Sequence, residues 1–409
     1  MERNNLRGIS TKGIFYKTMK ILVLSSVYPR FDADTEVPWL RISLRELKKH
    51  NCDAVLIAPA FKGLKNHSID GIPVYRFRYA PASLEFLTHD EGAPSKIARN
   101  PLLQLLAIPY IISGSIKTLF LCLKLKPEIM HVHWPFPHAF MAYFATFFYK
   151  IPIVLNFHGA ELLLVKKKKW IKPILKIFIK KANLIFANSS FTVKKIKEIC
   201  NREVEISPYG TTLGVCIEHN KLVSQGKFKV LFVGRHIERK GIEYLIKAAT
   251  ILDSAKFEIR IAGQGDLTEK LKKQAAKDAP EQVVFLGKLS TEDLEKEYKN
   301  ADCFILPAII NSKGDTEGLG VVLIEAAQYG LPIIASDVGG IPDVVIDKKT
   351  GLLVPEKNPE AIAKAIKELS ENEELRKSLV LGANEHIEQN FSWEKIVEKQ
   401  IAVYQRLIV

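Results

Sequence analysis

The chain has 409 residues, 47% of them hydrophobic and 25% charged, which predicts a globular protein of two or three domains with sizeable cores. Its five cysteines are odd in number and lie at least sixteen residues apart, which argues against a disulfide framework or a zinc site and fits a reducing compartment. The net charge of +14 comes from the first half, because residues 1–206 hold 32 Lys or Arg and 15 Asp or Glu. A basic half implies an anionic partner, such as nucleic acid, anionic lipid or a phosphorylated acceptor.

The amino-terminal residues are polar and basic and lack the apolar segment of a secretory signal. We therefore predict that residues 1–18 form a disordered extension or reflect an upstream start. Met19 resembles a natural start that a buried strand follows at once.

Leu102–Leu123 is long and apolar enough to be considered as a membrane span. Lys117, Pro109 and the cluster at 113–115 interrupt it, and a span would separate strands that must share one sheet. The segment is better explained as one or two helices that face the core.

Short apolar runs alternate with helical segments through both halves of the chain. Such runs are typical of parallel strands covered by helices on both faces, so they predict two doubly wound α/β domains. The predicted strands are, in the first half, Ile21–Val27, Ala54–Pro59, Val74–Phe77, Ile129–Val132, Ile153–Phe157 and Leu184–Ala187, and in the second half Val230–Val233, Phe257–Ala262, Val283–Leu286, Cys303–Leu306, Ile333–Ala335 and Leu352–Val354. Residues 207–226 are rich in turn formers and should contain the domain boundary. Ligands bind at the carboxyl ends of such strands, so two facing domains form a cleft.

Histidines follow two predicted strands of the first half. His131, His133 and His138 have no carboxylate or cysteine nearby in sequence, which argues against a metal site; we expect them to be partly buried and to line the cleft. His158 ends the next strand and precedes Gly159, which permits close backbone approach to a ligand. A purely structural histidine remains an alternative for His158.

The first βα turn, residues 25–38, is long and acidic and contains no glycine. It is therefore a poor phosphate loop.

Two basic residues follow the first strand of the second half. Arg235 and Lys240 flank a turn that has glycines at 234 and 241 and precedes a helix at Ile242. A guanidinium supplies forked donors and an ammonium group a point charge, so the pair fits a diphosphate clamp. Two solvated surface charges are the alternative.

The segment 315–329 carries two glutamates, Glu317 and Glu325, around a predicted helix that runs from Leu319 to Tyr329. Glu317 would lie at the helix start, where free backbone N–H groups favour an anion. Glu325 would follow roughly 10 Å along the axis. Because Glu325 is embedded in an apolar helix, its carboxylate needs a partner. A helix with two solvated glutamates is the alternative.

The run Glu-Gly-Leu-Gly-Val-Val-Leu-Ile-Glu-Ala that starts at Glu317 resembles the paired-glutamate signature of retaining nucleotide-sugar glycosyltransferases of family GT4, which have the GT-B fold. The resemblance covers residues 20 to about 405. It implies an acceptor-side domain at 19–212, a nucleotide-sugar-binding domain at 213–388, and a carboxyl-terminal helix at 389–409 that packs back on the first domain. It also implies no cofactor and no metal, with the nucleoside-diphosphate sugar as donor substrate.

The resemblance further implies roles for single residues. His158 would lie beside the donor sugar and the reacting bond, and Glu317 would hold the sugar hydroxyls; these are the catalytic candidates. Glu325 would bind the ribose. The departing diphosphate would be held by Arg235, Lys240 and the helix start at Gly318, Leu319 and Gly320. The segment 287–289 matches the part that holds the base, without discriminating uracil from guanine.

Three departures from the family pattern are visible. Glu161 stands where Asp is commoner, Asp343 where Glu is common, and the first βα turn lacks the glycine pair that contacts the donor in many relatives. We therefore assign this turn no role in donor binding. A contact with the acceptor and an ordinary surface turn are equally compatible with its sequence.

The resulting functional hypothesis is a retaining transferase that moves a hexose from a UDP- or GDP-sugar to a glycan or lipid-linked acceptor, in cell-surface polysaccharide or glycolipid synthesis. A nucleotide-sugar epimerase on the same fold is the alternative. It would need a second set of acid–base carboxylates, and the first half offers none beyond Asp32, Asp34 and Glu36. A nucleic-acid-binding protein would need exposed aromatic residues among its lysines, and few qualify, so we expect no nucleic-acid partner.

Residues 165–181 alternate lysine with apolar residues and carry eight Lys and no acid. This pattern is typical of a basic amphipathic surface on anionic lipid, although a core-facing helix with a solvated basic face has the same pattern. We predict a cytoplasmic protein attached peripherally to the inner face of the plasma membrane, with a lipid-linked or membrane-bound acceptor.

Overall fold

The computed structural model describes residues 18–90, 92–213 and 226–408. Residues 1–17 of the predicted extension, and residues 214–225 of the predicted boundary, lie outside the described part of the chain.

The described residues of the first half build a sheet of eight strands. These are β1 (Met19–Leu24), β2 (Cys52–Pro59), β3 (His67–Ile69), β4 (Ile72–Phe77), β5 (Ile129–His133), β6 (Ile153–Phe157), β7 (Leu184–Ala187) and β8 (Glu205–Ile206). Their order across the sheet is β3-β4-β2-β1-β5-β6-β7-β8. β3 runs antiparallel to β4, and the remaining neighbours are parallel.

Helices cover both faces of this sheet. They are α1 (Pro38–Lys49), α2 (Ala93–Arg99), α3 (Ala107–Leu125), α4 (Pro135–Thr146), α5 (Ala160–Lys167), α6 (Ile171–Lys181) and α7 (Ser190–Lys197). Side chains alternate along β1, so Leu22 and Leu24 pack with α3, α4 and α6, whereas Ile21 and Val23 pack on the other face with α1.

The second sheet is parallel throughout its described strands. It contains β9 (Phe228–Val233), β10 (Phe257–Ala262), β11 (Val283–Gly287), β12 (Cys303–Leu306), β13 (Ile333–Ser336) and β14 (Leu352–Val354). The helices of this half are α8 (Ile242–Ala249), α9 (Thr268–Asp278), α10 (Thr291–Asn300), α11 (Val321–Gln328), α12 (Pro359–Glu371), α13 (Glu373–Asn390) and α14 (Trp393–Ile408). The order β11-β10-β9-β12-β13-β14 is doubly wound and reverses between β9 and β12, where such sheets bind ligands.

The prediction of two doubly wound parallel domains is therefore confirmed, and each predicted strand is present. The sequence did not predict β3 and β8, which are only three and two residues long.

The carboxyl-terminal helix α14 leaves the second domain and packs against α1 of the first. The phenol of the fully buried Tyr404 shares a hydrogen bond of 2.8 Å with Nδ1 of His131. The side-chain amide of Gln400 donates to the Ser207 hydroxyl at 2.6 Å. Buried polar contacts thus tie this helix to strands and loops near the cleft.

Leu102–Leu123 forms helices that face the core, as predicted, but the apolar character of their exposed outer face was not predicted. Within the described residues, Pro101–Leu125 is the one helical stretch that could cross a membrane by length and composition. One face of α3 packs inward through Tyr110, Thr118 and Leu121. The opposite face is exposed and apolar, and periodicity could not reveal this because both faces are hydrophobic.

Candidate functional site

The two domains meet where the strands of both sheets end. The backbone of Gly318 lies so close to the first domain that a Cβ there would be 3.3 Å from Nδ2 of Asn188, at the end of β7. The carboxylate of Asp343 accepts hydrogen bonds of 2.5 Å from the backbone N–H and the hydroxyl of Ser190 at the start of α7. The position where Asp replaces the family's common Glu therefore contacts the opposite domain.

Glu317 and Lys240 form a buried ion pair at this junction. The Lys240 ammonium lies 2.5 Å from Oε2 of Glu317, and both residues are 8% exposed. Burial raises the pKa of Glu317, but the charges of Lys240 and Arg239 outweigh it and lower that pKa to about 2. Burial lowers the pKa of Lys240, with the Glu317 charge opposing the shift.

Arg239 completes this cluster and was not predicted from the sequence. Its guanidinium lies 3.2 Å from Oε2 of Glu317 and 3.7 Å from a carboxylate oxygen of Asp315, and it donates to the Thr316 carbonyl at 3.1 Å. Arg239 lies between the two basic residues that the sequence singled out, but its partners are about 77 residues away, so local spacing gave no signal.

Arg235 follows β9 and has an exposed side chain. Its charge lowers the pKa of Lys240, which places the two cations on the same side of the junction. Within the described residues, no hydrogen bond or ion pair holds the Arg235 guanidinium, so it can turn toward an anion in the cleft.

The helix behind Glu317 starts later than predicted. α11 begins at Val321 instead of Leu319, because Gly320 has a φ of 87°, which lies outside the helical region. Gly318 and Leu319 therefore belong to the loop, and the carbonyl of Glu317 accepts a 3.0 Å hydrogen bond from the N–H of Gly340. This backbone contact fixes the loop that presents the Glu317 carboxylate.

Glu325 lies within α11 and is buried, as its apolar neighbours required. Its carboxylate accepts hydrogen bonds from the Thr212 hydroxyl at 2.7 Å and the Tyr298 hydroxyl at 3.0 Å. Burial raises the pKa of Glu325, and the two hydroxyls partly offset that rise. The charge of Lys240 also acts on this carboxylate, so Glu325 and the basic cluster lie in one region.

His158 ends β6 on the other side of the junction and is half-buried. Its Nε2 lies 3.0 Å from Nδ1 of His133, and its Nδ1 lies 2.5 Å from the Tyr209 hydroxyl. Burial lowers the pKa of His158 to about 3, so the ring is neutral at pH 7. The ring of Trp39 packs against it with centroids 4.9 Å apart. These contacts fix the orientation of the His158 ring.

The three histidines of β5 and α4 are more deeply buried than predicted. His131, His133 and His138 are all buried, and His138 bonds to Tyr110 and to the Trp134 carbonyl. In the part of the chain that the structure describes, no group of three or more His, Cys, Asp or Glu side chains is arranged to hold a metal ion.

Glu161 at the start of α5 supports the His158 segment. Its Oε1 accepts the His158 backbone N–H at 2.8 Å, while its buried Oε2 has no partner among the described residues. Burial raises the pKa of Glu161 to about 7.

An open pocket of about 670 Å³ adjoins Arg235 at the carboxyl ends of β10 and β11. It is lined by the glycine turn 263–265, by Phe285 to Gly287, and by His236, which sequence analysis passed over. His236 is fully buried; its Nδ1 lies 2.9 Å from the Thr268 hydroxyl, and its Nε2 has no partner among the described residues.

Part of the predicted basic surface faces the second domain. The Lys166 side chain reaches the backbone at Gly314. Burial raises the pKa of Asp315, and the nearby charge of Lys167 opposes that rise. These two lysines therefore lie near the loop that leads to Glu317.

Two facing doubly wound domains with a cleft between them are the GT-B fold. Residues 43–213 match the family described as Glycosyltransferase Family 4, and residues 217–386 match Glycosyl transferases group 1. The chain belongs to these glycosyltransferases, and the predicted family and enzyme class are confirmed.

Individual relatives agree with this assignment. An uncharacterized glycosyltransferase of Methanocaldococcus jannaschii is 27% identical over 68% of this chain and 76% of its own length. The amylovoran biosynthesis glycosyltransferase AmsK of Erwinia amylovora is 34% identical over 44% of this chain and 45% of its own. The structure of Anabaena HepE in complex with UDP has a TM-score of 0.69, with 17% identity, covering 95% of this chain and 100% of that one. At that identity, the structural likeness concerns the fold.

Proposed function

We infer that this glycosyltransferase moves a hexose from a UDP- or GDP-sugar to a glycan or lipid-linked acceptor with retention of the anomeric configuration. The observation that carries the proposal is the junction itself. There Arg239 and Lys240 pair with Glu317, the exposed Arg235 follows Gly234 beside the Lys240 side chain, and His158 lies on the other domain near Gly318. Three cations beside a carboxylate, at the ligand-binding edge of a doubly wound sheet, suit a negatively charged diphosphate linked to a sugar. The related fold of HepE is known with UDP-glucose.

The leaving diphosphate would be stabilised by charge. Lys240 and Arg239 are already oriented by Glu317, and the exposed Arg235 can close on the phosphates. Preorganised cations at a site where negative charge develops are usually the largest single contribution to such catalysis. The proposal requires no bound metal ion and no cofactor, because these side chains supply the compensating charge.

Glu317 would serve two partners in succession. Without donor, its carboxylate neutralises Lys240; when a diphosphate engages Lys240, Glu317 can accept hydrogen bonds from the sugar hydroxyls. Glu325, oriented by Thr212 and Tyr298, would accept from the ribose. The backbone at Gly318, Leu319 and Gly320 would contact the phosphates, and the pocket beneath His236 would hold the base.

Retention implies attack by the acceptor hydroxyl on the face from which the diphosphate leaves. His158 would position this face, since its neutral ring is held by His133 and Tyr209. The epimerase alternative gains nothing from the geometry. Asp34 is bound by Arg30 at 2.6 Å, and the Glu36 carboxylate accepts the Asp90 backbone N–H at 3.0 Å.

Two observations support the proposed acceptor: the name of a relative and the basic charge of the first domain. AmsK carries amylovoran biosynthesis in its name, which supports a role in cell-surface polysaccharide or glycolipid synthesis. The other six lysines of residues 165–181, apart from Lys166 and Lys167, support peripheral attachment to the inner face of the plasma membrane and a lipid-linked acceptor.

A thermal-shift panel of UDP-, GDP- and ADP-sugars tests the donor. A ligand at a hundredfold its dissociation constant stabilises a protein by about 2.7 kcal/mol, so a matching donor should raise the melting temperature clearly. Arg235→Ala should reduce that rise, whereas the exposed control Lys256→Ala should keep it. If no nucleoside-diphosphate sugar shifts the parent protein, the proposed donor class is wrong.

A further inference from the structure

A row of exposed apolar side chains lies on the outer side of α3 and at and just after the end of α4 in the first domain. We call it the α3–α4 ridge; its seven members, between 39% and 82% exposed, are Ile108, Ile112, Ile116, Phe120, Phe144, Phe147 and Phe148. On α3 the members recur every four residues, and the buried residues Tyr110, Gly114 and Thr118 are offset from them by two. An offset of two residues is about half a helical turn, so the ridge points away from the sheet.

The ridge is continuous because its helices pack side by side. Gly114 of α3 is in such close contact with Met141 of α4 that a side chain there would overlap it. On the far side of α4, Phe140 packs against Phe178 of α6 with centroids 4.8 Å apart. The three helices therefore form one layer, and α6 adds the exposed Trp170 and Ile177 beside the ridge.

The charge around the ridge identifies its partner. Residues 93–197, which include α2 to α7, hold seventeen Lys or Arg and two acidic residues, Glu128 and Glu161. Glu161 is buried, and the Glu128 carboxylate accepts the Lys20 backbone N–H at 3.0 Å. A second copy of this chain would bring like charges together. An anionic lipid surface instead accepts lysines at its headgroups and apolar side chains below them.

We propose that the α3–α4 ridge inserts into the acyl region of an anionic bilayer while the surrounding lysines bind its headgroups. From Ile108 to Phe120 the ridge extends about 18 Å along α3, which suits a helix lying in the interface plane. A helix that spans the membrane would not agree with the structure, because the buried face of α3 packs into the core of the first domain. Trp170 at the start of α6 is the kind of side chain that prefers the boundary between lipid and water.

This orientation would serve the proposed transfer. α3 connects β4 to the parallel strand β5, so its first turn lies at the carboxyl edge of the sheet, where the cleft is. An acceptor head group at the membrane surface would thus reach the cleft beside Ile108. The inference names the surface that would mediate the proposed membrane attachment. Only the statement about acceptor access rests on the proposed transfer.

Vesicle binding tests the ridge. Ile112→Gln/Ile116→Gln keeps helix-forming side chains at two exposed positions, and Leu381→Gln, 61% exposed on α13 of the second domain, is the matched control. With vesicles containing phosphatidylglycerol, the double variant should partition roughly tenfold or more weakly than the parent, because two isoleucines no longer enter hydrocarbon. The control should partition like the parent.

The depth to which the ridge inserts into the bilayer is measured separately, by the fluorescence of an introduced tryptophan. Ile112→Trp should be quenched by lipids brominated on their acyl chains, and Leu381→Trp should add no such quenching. Equal partitioning of the double variant and the parent, absence of quenching at position 112, or a dimer in sedimentation that Ile112→Gln/Ile116→Gln dissolves, would each overturn the proposal. Donor-induced thermal shifts measured on the same variants report the catalytic site independently, so a failure there leaves the vesicle result readable.

Discussion

The ammonium group of Lys240 lies 2.5 Å from the carboxylate of Glu317, although the two residues are 77 positions apart. The pair joins the turn after β9 to the loop before α11 at the reversal point of the second sheet. A diphosphate that binds Lys240 must share it with Glu317, so donor binding and this ion pair are coupled.

Replacement of Glu317 should affect stability in a pH-dependent way. The folded pKa of about 2 lies below the ordinary value of 4.5, so the pair stabilises the fold above about pH 4.5 and this contribution is lost as pH falls toward 2. Glu317→Gln should therefore cost about 3 kcal/mol at pH 7 and much less near pH 3, measured by urea unfolding. The exposed Glu371→Gln is the control and should show no such trend. A cost that is constant with pH would contradict the ion-pair explanation.

Arg235 and Lys240 should behave differently in stability but together in turnover. Arg235→Ala should leave the melting temperature nearly unchanged, because its side chain is exposed, whereas Lys240→Ala leaves the Glu317 carboxylate without its closest partner. Both should lower turnover, and the double variant should lose less than the product of the single losses, because one diphosphate engages both. If the two losses of turnover were strictly additive in activation free energy, Arg235 and Lys240 would have different roles.

Glu325→Gln should weaken nucleotide binding while the fold persists. The amide can still form hydrogen bonds with the Thr212 and Tyr298 hydroxyls. It lacks the negative charge with which Glu325 would bind the ribose hydroxyls. Titration with UDP and GDP by calorimetry checks this. Unchanged affinity for every nucleotide sugar, with normal melting, would remove Glu325 from the donor site.

Glu161 should make stability fall with rising pH. Its folded pKa of about 7 lies above the ordinary value of 4.5, so the folded state holds a proton that the unfolded state has released between these values. Glu161→Gln removes this titration. We compare the free energies of unfolding of the variant and the parent. Their difference should change in favour of the variant by about 2 to 3 kcal/mol between pH 4.5 and pH 8. A pH-independent effect of the amide would not alter this change. Parallel pH profiles of the two proteins would contradict this account.

The strands were predictable because a parallel strand buried on both faces is a nearly continuous apolar run, as in Cys303–Leu306. The edge strands β3 and β8 have no such run and are held by their neighbours. The start of α11 was misplaced because Leu319 is a good helix former, whereas the positive φ of Gly320 decides the boundary.

The site was predictable to the extent that its residues follow strands. Arg235, Lys240 and His158 are placed by the ends of β9 and β6. Their partners are set by tertiary packing, so the roles of Arg239, Thr212 and Tyr298 had no local signal. Hydropathy also could not separate the outer face of α3 from a core face, since both are apolar.

The most direct test of the central claim is the stereochemistry of sugar release. Incubation of the protein with a UDP- or GDP-α-hexose, followed by proton NMR of the freshly released or transferred sugar, reads the configuration before mutarotation. We predict that the α anomer forms first and that Glu317→Gln slows its formation more than it weakens binding of the free nucleotide. A β anomer as the first product, or no cleavage of any nucleoside-diphosphate sugar by a protein that binds them, would contradict retaining transfer at this junction.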